Sequence, residues 1–304
     1  MKILFCTDGS AAAEQAVRFG APIAAACQAE PTVLGITEDP QQQAAIMEAL
    51  GRAQVLLREH HVNAELITKV GRPVVEIVRR TQETAYDLVV IGATRKGTGG
   101  PRWMSARAYR IIEAVAPPVL VALGTRTSLR RILLCTGGAT HADGAVKFTA
   151  EIARRLGAAV TLFHVAAEPP AMYADLLERQ EDLARLLNTG SALGRGLQHH
   201  QQLLAAVGVA VELHVRHGLV MDELLEELAQ GDYDLVVAGS SPTGDPVRRY
   251  VLPNLTREIV NRAERPVLVV RSGPAPGAHS LSDRLRQLFH ASDARAVPPA
   301  GAEE

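Results

Sequence analysis

The stretch Asp87 to Ala122, DLVVIGATRKGTGGPRWMSARAYRIIEAVAPPVLVA, recurs in altered form from Asp234 to Val270 as DLVVAGSSPTGDPVRRYVLPNLTREIVNRAERPVLVV. Leu88 to Ile91 is a short, mostly β-branched run that stops at Gly92, which suits a strand buried on both faces. A loop rich in Gly, Thr and cations follows. From about Ser105 apolar residues fall at helical spacing, at Ala108, Ile111, Ile112 and Val115. Pro117 and Pro118 end that helix, because proline removes a donor and disfavours helix in the residue before it. Val119 to Ala122 then begins a second buried strand. Strand, loop, helix, strand is one right-handed crossover of a parallel sheet, and its first loop lies where such sheets bind ligands.

Working outward, KILFCTDGS at Lys2 to Ser10 returns as RILLCTGGA at Arg131 to Ala139. An Ala-rich helical stretch follows each: Ala11 to Cys27 and Ala142 to Leu156. Second strands are predicted over Thr32 to Thr37 and Thr161 to Ala166. Second helices follow, Gln41 to His60 in one half and a longer stretch within Tyr173 to Val207 in the other. Third strands are Ala64 to Val70 and Ala210 to Arg216. Gly71-Arg72-Pro73 opens a third helix, with proline tolerated in the first turn, and Gly218 is its counterpart. Each half therefore alternates strand and helix, which calls for a parallel sheet covered by helices. The division is 1–124 and 129–272, joined by a short polar link from Gly124 to Leu129. The remainder, 273–304, reads as a Pro/Gly/Ala linker, a short amphipathic helix and a frayed tail.

Bulk properties agree with two globular domains: 304 residues, 47% hydrophobic and 21% charged. Aromatics make up only 4%, so Ala, Val, Leu and Ile must fill the core. A net charge of −1 gives no basic footprint for nucleic acid or an anionic membrane. No apolar run reaches the length of a membrane span, and Asp8 ends the first apolar run too early for a signal peptide. Three cysteines make no disulfide framework. Cys6 and Cys135 are expected to be small buried hydrophobes. The expected compartment is the cytoplasm.

Both halves resemble universal stress protein (UspA-type) domains, and the chain resembles a tandem member of that family. The resemblance rests on Thr7-Asp8-Gly9-Ser10 after the first strand, Asp87 to Gly92, the closing Ala116-Pro-Pro-Val-Leu-Val121, and the echoes Asp234 to Gly239 and Arg265 to Val270. It implies two Rossmann-like α/β/α domains of the adenine-nucleotide-hydrolase type, each a five-stranded parallel sheet of order 3-2-1-4-5. It further implies pairing through the last strands, Val119–Val121 with Val267–Val270. Such pairing satisfies two edges that otherwise invite association.

ATP-binding members of the family carry Gly-x2-Gly-x9-Gly-Ser/Thr after the fourth strand. Glycines there let backbone N–H groups approach phosphate oxygens, and the next helix N-terminus adds donors and positive dipole. In the first half the pattern falls on Gly92, Arg95, Ser105 and Ala106, so only the first glycine is kept. Gly97, Gly99 and Gly100 keep the loop permissive, and Arg95, Lys96 and Arg102 could neutralise phosphate. Asp8 stands where the family's acidic residue belongs. The implied site is Thr7, Asp8, Ile36, Gly92, Ala93, Thr94, Arg95, Lys96, Gly97, Ser105 and Ala106, weak or altered, with ATP or another adenine nucleotide as its ligand. In the second half Gly239 remains, but Pro242, Pro253 and Asn254 take the later positions and Gly137 replaces the acid. That half reads as a structural copy.

No other constellation competes. The ten histidines include the neighbours His60-His61 and His199-His200, which diverge on a helix and do not chelate as i, i+4 pairs do. No metal site is expected. His164, His214 and His217 near strand ends are most simply partly buried. Ser10 and Ser240 lack a nucleophile elbow or a base with a clear role, and no catalytic residue is assigned. Glu223, Glu226 and Glu227 read as the wet face of an amphipathic helix, and Trp103 as packing at the entry of the fourth helix. Leu281, Leu285, Leu288 and Phe289 share one helical face that could dock on the body or on a partner. The resulting expectation is a non-catalytic stress-response or regulatory module whose halves form an intramolecular pseudo-dimer. The alternative is a slow ATPase using Asp8, Lys96 and the helix start at Ser105. A third reading is a scaffold acting through its C-terminal helix.

Overall fold

The computed structural model describes residues 1–93, 95–96, 103–104, 106–166, 190–240 and 255–271. The first half runs β1 (Lys2–Thr7), α1 (Ala11–Ala26), β2 (Glu30–Thr37), α2 (Gln43–Arg58), β3 (Glu65–Val70), α3 (Pro73–Glu83), β4 (Leu88–Gly92), α4 (Ala106–Ala114) and β5 (Val119–Ala122). The second half runs β6 (Arg131–Cys135), α5 (Asp143–Leu156), β7 (Ala159–Ala166), α6 (Ala192–Ala205), β8 (Val211–His217), α7 (Val220–Gln230), β9 (Leu235–Ser240), α8 (255–262) and β10 (Val267–Arg271). One ten-stranded sheet holds both halves, in the order β8-β7-β6-β9-β10-β5-β4-β1-β2-β3. Within each half the order is third, second, first, fourth and fifth strand, all parallel. At the centre β5 and β10 run antiparallel, with Val121 opposite Val267, Leu120 opposite Leu268 and Val119 opposite Val269.

Alternation along the strands sorts side chains onto two helical layers. Ile3 and Phe5 face a cluster that takes in Val17 and Phe19 of α1, Leu57 of α2, Val146 of α5 and Leu204 of α6. Leu4 and Cys6 face the opposite cluster, with Ile77 of α3, Ile112 of α4, Leu224 of α7 and Ile259 of α8. The two halves also join beyond the sheet. The Tyr109 hydroxyl donates to the Arg257 carbonyl at 2.9 Å, the Arg257 guanidinium lies 4.6 Å from the Tyr109 ring centre, and Arg271 Nη2 donates to the Ile112 carbonyl at 2.6 Å.

The aspartate that opens each DLVV run anchors the first strand of its half. Asp87 Oδ2 accepts from the Lys2 amide at 2.7 Å. Asp234 does more: Oδ2 accepts from the Arg130 and Arg131 amides at 2.7 and 3.1 Å, and Oδ1 from Ser128 Oγ at 2.6 Å and Arg126 Nη1 at 2.9 Å. The polar link is therefore pinned rather than loose, and Leu129 within it is buried.

A single exchange in the repeat sets how each half's first helix begins. Ser10 caps α1, its Oγ accepting from the Ala13 amide at 3.3 Å. Its counterpart Ala139 has no such oxygen. There the chain makes a 3₁₀ turn over Thr140–Ala142, and α5 begins only at Asp143.

Among the described residues no helix is long and apolar enough to cross a membrane, and no group of three His, Cys, Asp or Glu side chains is placed to hold a metal ion.

Candidate functional site

In each half the crossover connections change direction between the first and fourth strands, and the crevice above the carboxyl ends of those strands is where open α/β sheets bind ligands. In the second half that crevice is an open cavity of about 170 Å³. Its floor is Cys135 at the end of β6 with Thr136 and Gly137 after it, and Ala238 and Gly239 of β9 beside them. Val220 and Leu224 of α7 and Ile259 of α8 form one wall, and Phe163, His164 and Val165 of β7 another. The lining is mainly apolar, as small-molecule sites are.

Sheet register places smaller residues at this crevice than at the corresponding positions of the first half. Ala238 pairs with Cys135, as Ile91 pairs with Cys6, so Ile91 is the counterpart of Ala238 and brings three more carbons. The neighbouring glycines differ too. A Cβ on Gly92 would lie 2.1 Å from the Ala12 carbonyl oxygen, so the start of α1 sits directly on β4. A Cβ on Gly239 would meet only Ala145 Cβ at 3.6 Å. α5 starts three residues later than α1 does in the repeat, so Ala145 rather than a helix-start carbonyl lies nearest Gly239.

A polar chain borders the cavity on the α6 side. The His164 Nδ1 lies 2.8 Å from the Thr136 carbonyl oxygen, and a carbonyl only accepts, so Nδ1 carries the hydrogen. Burial holds the His164 ring below the ordinary histidine pKa; the nearby charge of His217 adds to this, and the Thr136 carbonyl opposes it. The ring is therefore neutral at pH 7, with Nε2 bare. The Thr136 hydroxyl accepts from the Gly138 amide at 3.1 Å and lies 3.0 Å from His200 Nδ1. His200 Nε2 reaches Asp143 Oδ1 at 3.1 Å, and His199 Nε2 reaches Oδ2 of the same carboxylate at 3.2 Å. The adjacent histidines do diverge, but one carboxylate between them meets both.

His200 is fully buried, and Gly196, one turn earlier, lets α6 lie against Gly138, whose carbonyl oxygen would be 1.6 Å from a Cβ there. This network seats α6 on the turn that follows β6. Replacing His200 with alanine should cost about 2 kcal/mol, through a cavity and the loss of its hydrogen bonds to Thr136 and Asp143. Hydrogen exchange should speed up in α6 and the 136–138 turn before it does elsewhere; unchanged exchange there would show that the seat is unimportant.

In the first half the structure brings Thr7, Asp8, Ile36, Gly92 and Ala93 to the ends of β1, β2 and β4. Thr7 Oγ1 accepts from the Gly9 amide at 3.1 Å. Asp8 is exposed and its Oδ1 accepts from the Ser10 amide at 3.1 Å, so this carboxylate is turned to its own loop. Arg95 and Lys96 form a two-residue ladder with Met104 and Trp103, and Ala106 starts α4. Thr94, Gly97 and Ser105 lie outside the described residues, as do Arg102, Pro242, Pro253 and the 281–289 face. A polar crevice of about 160 Å³ does open nearby, between Glu38, Arg72 at the start of α3, and Arg107 and Arg110 of α4. Arg107 Nη2 pairs with Glu38 at 3.2 Å. Sequence reading missed these arginines because Arg72 is remote in the chain from Arg107 and Arg110.

Two expectations need correction. Glu227 is not on a wet face: it is 5% exposed, and its carboxylate takes hydrogen bonds from Tyr233 Oη at 2.5 Å, His214 Nδ1 at 2.9 Å and Arg216 Nε at 2.9 Å. Burial alone would raise its pKa, but those three donors hold it below the ordinary carboxylate range. The partners lie on β8 and beyond α7, so helical periodicity could not announce them. Cys135, in turn, is only half-buried and lines the cavity; burial, with the Glu227 charge adding to it, pushes its thiol up to about 12, which leaves it unreactive at neutral pH.

Comparison with known proteins matches the universal stress protein family twice, over residues 1–122 and 128–271. A universal stress protein of Archaeoglobus fulgidus DSM 4304 is similar in structure, with a TM-score of 0.66 at 18% identity, over 90% of this chain and 98% of its own. A functionally unknown protein of Pseudomonas aeruginosa PAO1 gives 0.62 at 15%, over 97% of each. A shorter universal stress protein of Archaeoglobus fulgidus, solved in complex with dAMP, gives 0.33 at 16%, over 47% of this chain and 98% of its own. No curated protein matches the sequence.

Proposed function

The chain belongs to the universal stress protein family, and from that premise we propose that it is a regulatory module with no chemistry of its own, whose halves act as a fixed internal pair that binds an adenine nucleotide. The observation that carries this reading is the cavity at the β6–β9 crevice. About 170 Å³ accommodates a purine ring but not a whole nucleotide, so ribose and phosphates would extend beyond it. Against catalysis stands the lack, among the described residues, of a base aimed at an open nucleophile. The Thr136–His200–Asp143 alignment has its histidine fully buried and its hydroxyl already engaged twice. The internal pair is supported by the continuous β5–β10 ladder.

A second reading is favoured by the polar crevice in the first half. Arg72, Arg107 and Arg110 outnumber Glu38 there, which suits a phosphate group. Calorimetric titration with ATP, AMP and cyclic AMP separates the two. Val220 lines the cavity yet is 42% exposed, so Val220→Trp should cover the mouth without disturbing the core. The expected result is binding near one equivalent per chain, at least about ten-fold weaker in Val220→Trp and unchanged in Asp8→Ala. Loss in Asp8→Ala alone would move the site to the first half. Steady ATP turnover by the wild-type chain would overturn the non-catalytic reading.

A further inference from the structure

We propose that β3, the outer strand of the first half, is a self-complementary edge: two copies of this chain pair through it, antiparallel, about a two-fold axis centred on Ile67. β3 ends the ten-stranded sheet, and among the described residues β2 is its only strand neighbour. The Gly71 amide donates to the Thr37 carbonyl at 2.8 Å, and Thr37 stands opposite Val70. The odd-numbered residues therefore turn their backbone groups to β2. Alternation turns the amides and carbonyls of Leu66, Thr68 and Val70 to the open edge. Such a row is a template for another strand, and Glu65, Leu66, Lys69 and Val70 are all exposed on it.

Charge complementarity selects both the occupant and the register. Pairing about Ile67 sets Glu65 of each copy opposite Lys69 of the other, with Cβ atoms about 5 Å apart. Centring the pair on Leu66 or Thr68 loses both matches. The Glu65 side chain is 60% exposed and takes Thr32 Oγ1 and Arg80 Nη2 on the same oxygen, Oε2, which leaves Oε1 to an incoming cation. Lys69 is exposed and has no ion pair among the described residues. Leu66 and Val70, 43% and 45% exposed, lie on the other face of the strand, the α2 side, where Ala64 packs. Gln54 Oε1 accepts from the Ala64 amide at 3.2 Å, so that flank of α2 turns to the edge. Gly51 and Met47, one and two turns earlier on it, are exposed as well. Pairing covers this apolar surface beside the ladder. The opposite edge of the sheet lacks the device. On β8 the repeat places Glu212 and Arg216 at the same spacing, but Glu223, Glu226 and Glu227 of α7 surround Arg216, so its charge is already met within its own chain.

Sedimentation velocity of the full chain, from about 1 to about 300 µM, should show a monomer–dimer equilibrium in the micromolar range, as suits an interface at the small end of the specific ones. Over the same range hydrogen exchange at the Leu66, Thr68 and Val70 amides should slow as concentration rises. Glu65→Lys and Lys69→Glu each set like charges against each other across the axis, and each should weaken self-association at least about ten-fold. Mixed in equal amounts, the two variants oppose unlike charges again and should form a heterodimer within about three-fold of the wild-type affinity. Thr68→Pro removes one outward amide and no bond to β2, so it should abolish the dimer and leave the melting temperature nearly unchanged. A wild-type chain that stays monomeric throughout, or exchange at those three amides that ignores concentration, would overturn the proposal without recourse to any variant. So would a dimer that both charge variants keep, which would place the contact elsewhere. Assembly that grows past the dimer would also overturn it, in favour of head-to-tail pairing of β3 with β8.

Discussion

Asp234→Ala is expected to destabilise the protein by about 3–5 kcal/mol, the usual range when one partner of a buried charged cluster is deleted. The carboxylate is 4% exposed and takes four hydrogen bonds, two from the backbone of the entering strand and two from the link. Its removal orphans the Arg130 and Arg131 amides at the start of β6 and frees the link that joins the halves. The repeat supplies an internal control. Asp87 is exposed and anchors only the Lys2 amide, so Asp87→Ala should cost about 1 kcal/mol. Denaturant titration of both variants checks the contrast, and equal losses would refute it.

The same carboxylate sets an acid limb. Burial alone would raise its pKa, but Ser128, the Arg130 and Arg131 amides and Arg126 outweigh that and hold it below the ordinary aspartate range. A depressed native pKa stabilises the fold fully above the unfolded value. That contribution falls as pH drops below about 4 and is gone once pH passes the native value. Asp234→Asn should flatten stability against pH in this window and leave the neutral-pH slope alone.

Gly92→Ala should be severe and Gly239→Ala nearly silent, although the two glycines occupy the same place in the repeat. An added Cβ at Gly92 would lie 2.1 Å from the Ala12 carbonyl oxygen and 2.5 Å from the Ala13 amide nitrogen. Those are backbone atoms of a helix start and cannot rotate away, so α1 must shift off β4 at a cost of about 3 kcal/mol. At Gly239 the nearest contact is 3.6 Å, and the expected change is within about 0.5 kcal/mol. Thermal or chemical melts of the two variants decide the matter. A mild Gly92→Ala would mean that the α1 start gives way easily. Gly92 then reads as a packing glycine in this protein, whatever its position in a phosphate-binding pattern.

Much of the architecture was legible along the chain because it depends on local and periodic features. β-branched runs ending at Gly92 and Gly239, prolines before β5 and β10, and the echo of Lys2–Cys6 in Arg131–Cys135 each report a local preference of the backbone. The repeat multiplied that signal. Boundaries shifted by a residue or two where a cap or a 3₁₀ turn intervened, as at Pro40–Gln42 before α2.

The site was less legible. The glycine pattern pointed to the first half, while the open cavity lies in the second. The exchanges that bear on it, Ser10 for Ala139 and Ile91 for Ala238, were both visible in the aligned repeat. Their consequence was not. Whether a small residue leaves a hollow depends on how closely the facing helix approaches. Whether Glu227 stays wet or His164 keeps a bare nitrogen depends on partners contributed by other strands. The sequence by itself determined two α/β repeats and the order of their elements, since period and punctuation act over a few residues. The tertiary structure alone decided where the second repeat opens a cavity and which polar groups meet, because distances between elements remote in the chain are fixed only when both helical layers close on the sheet.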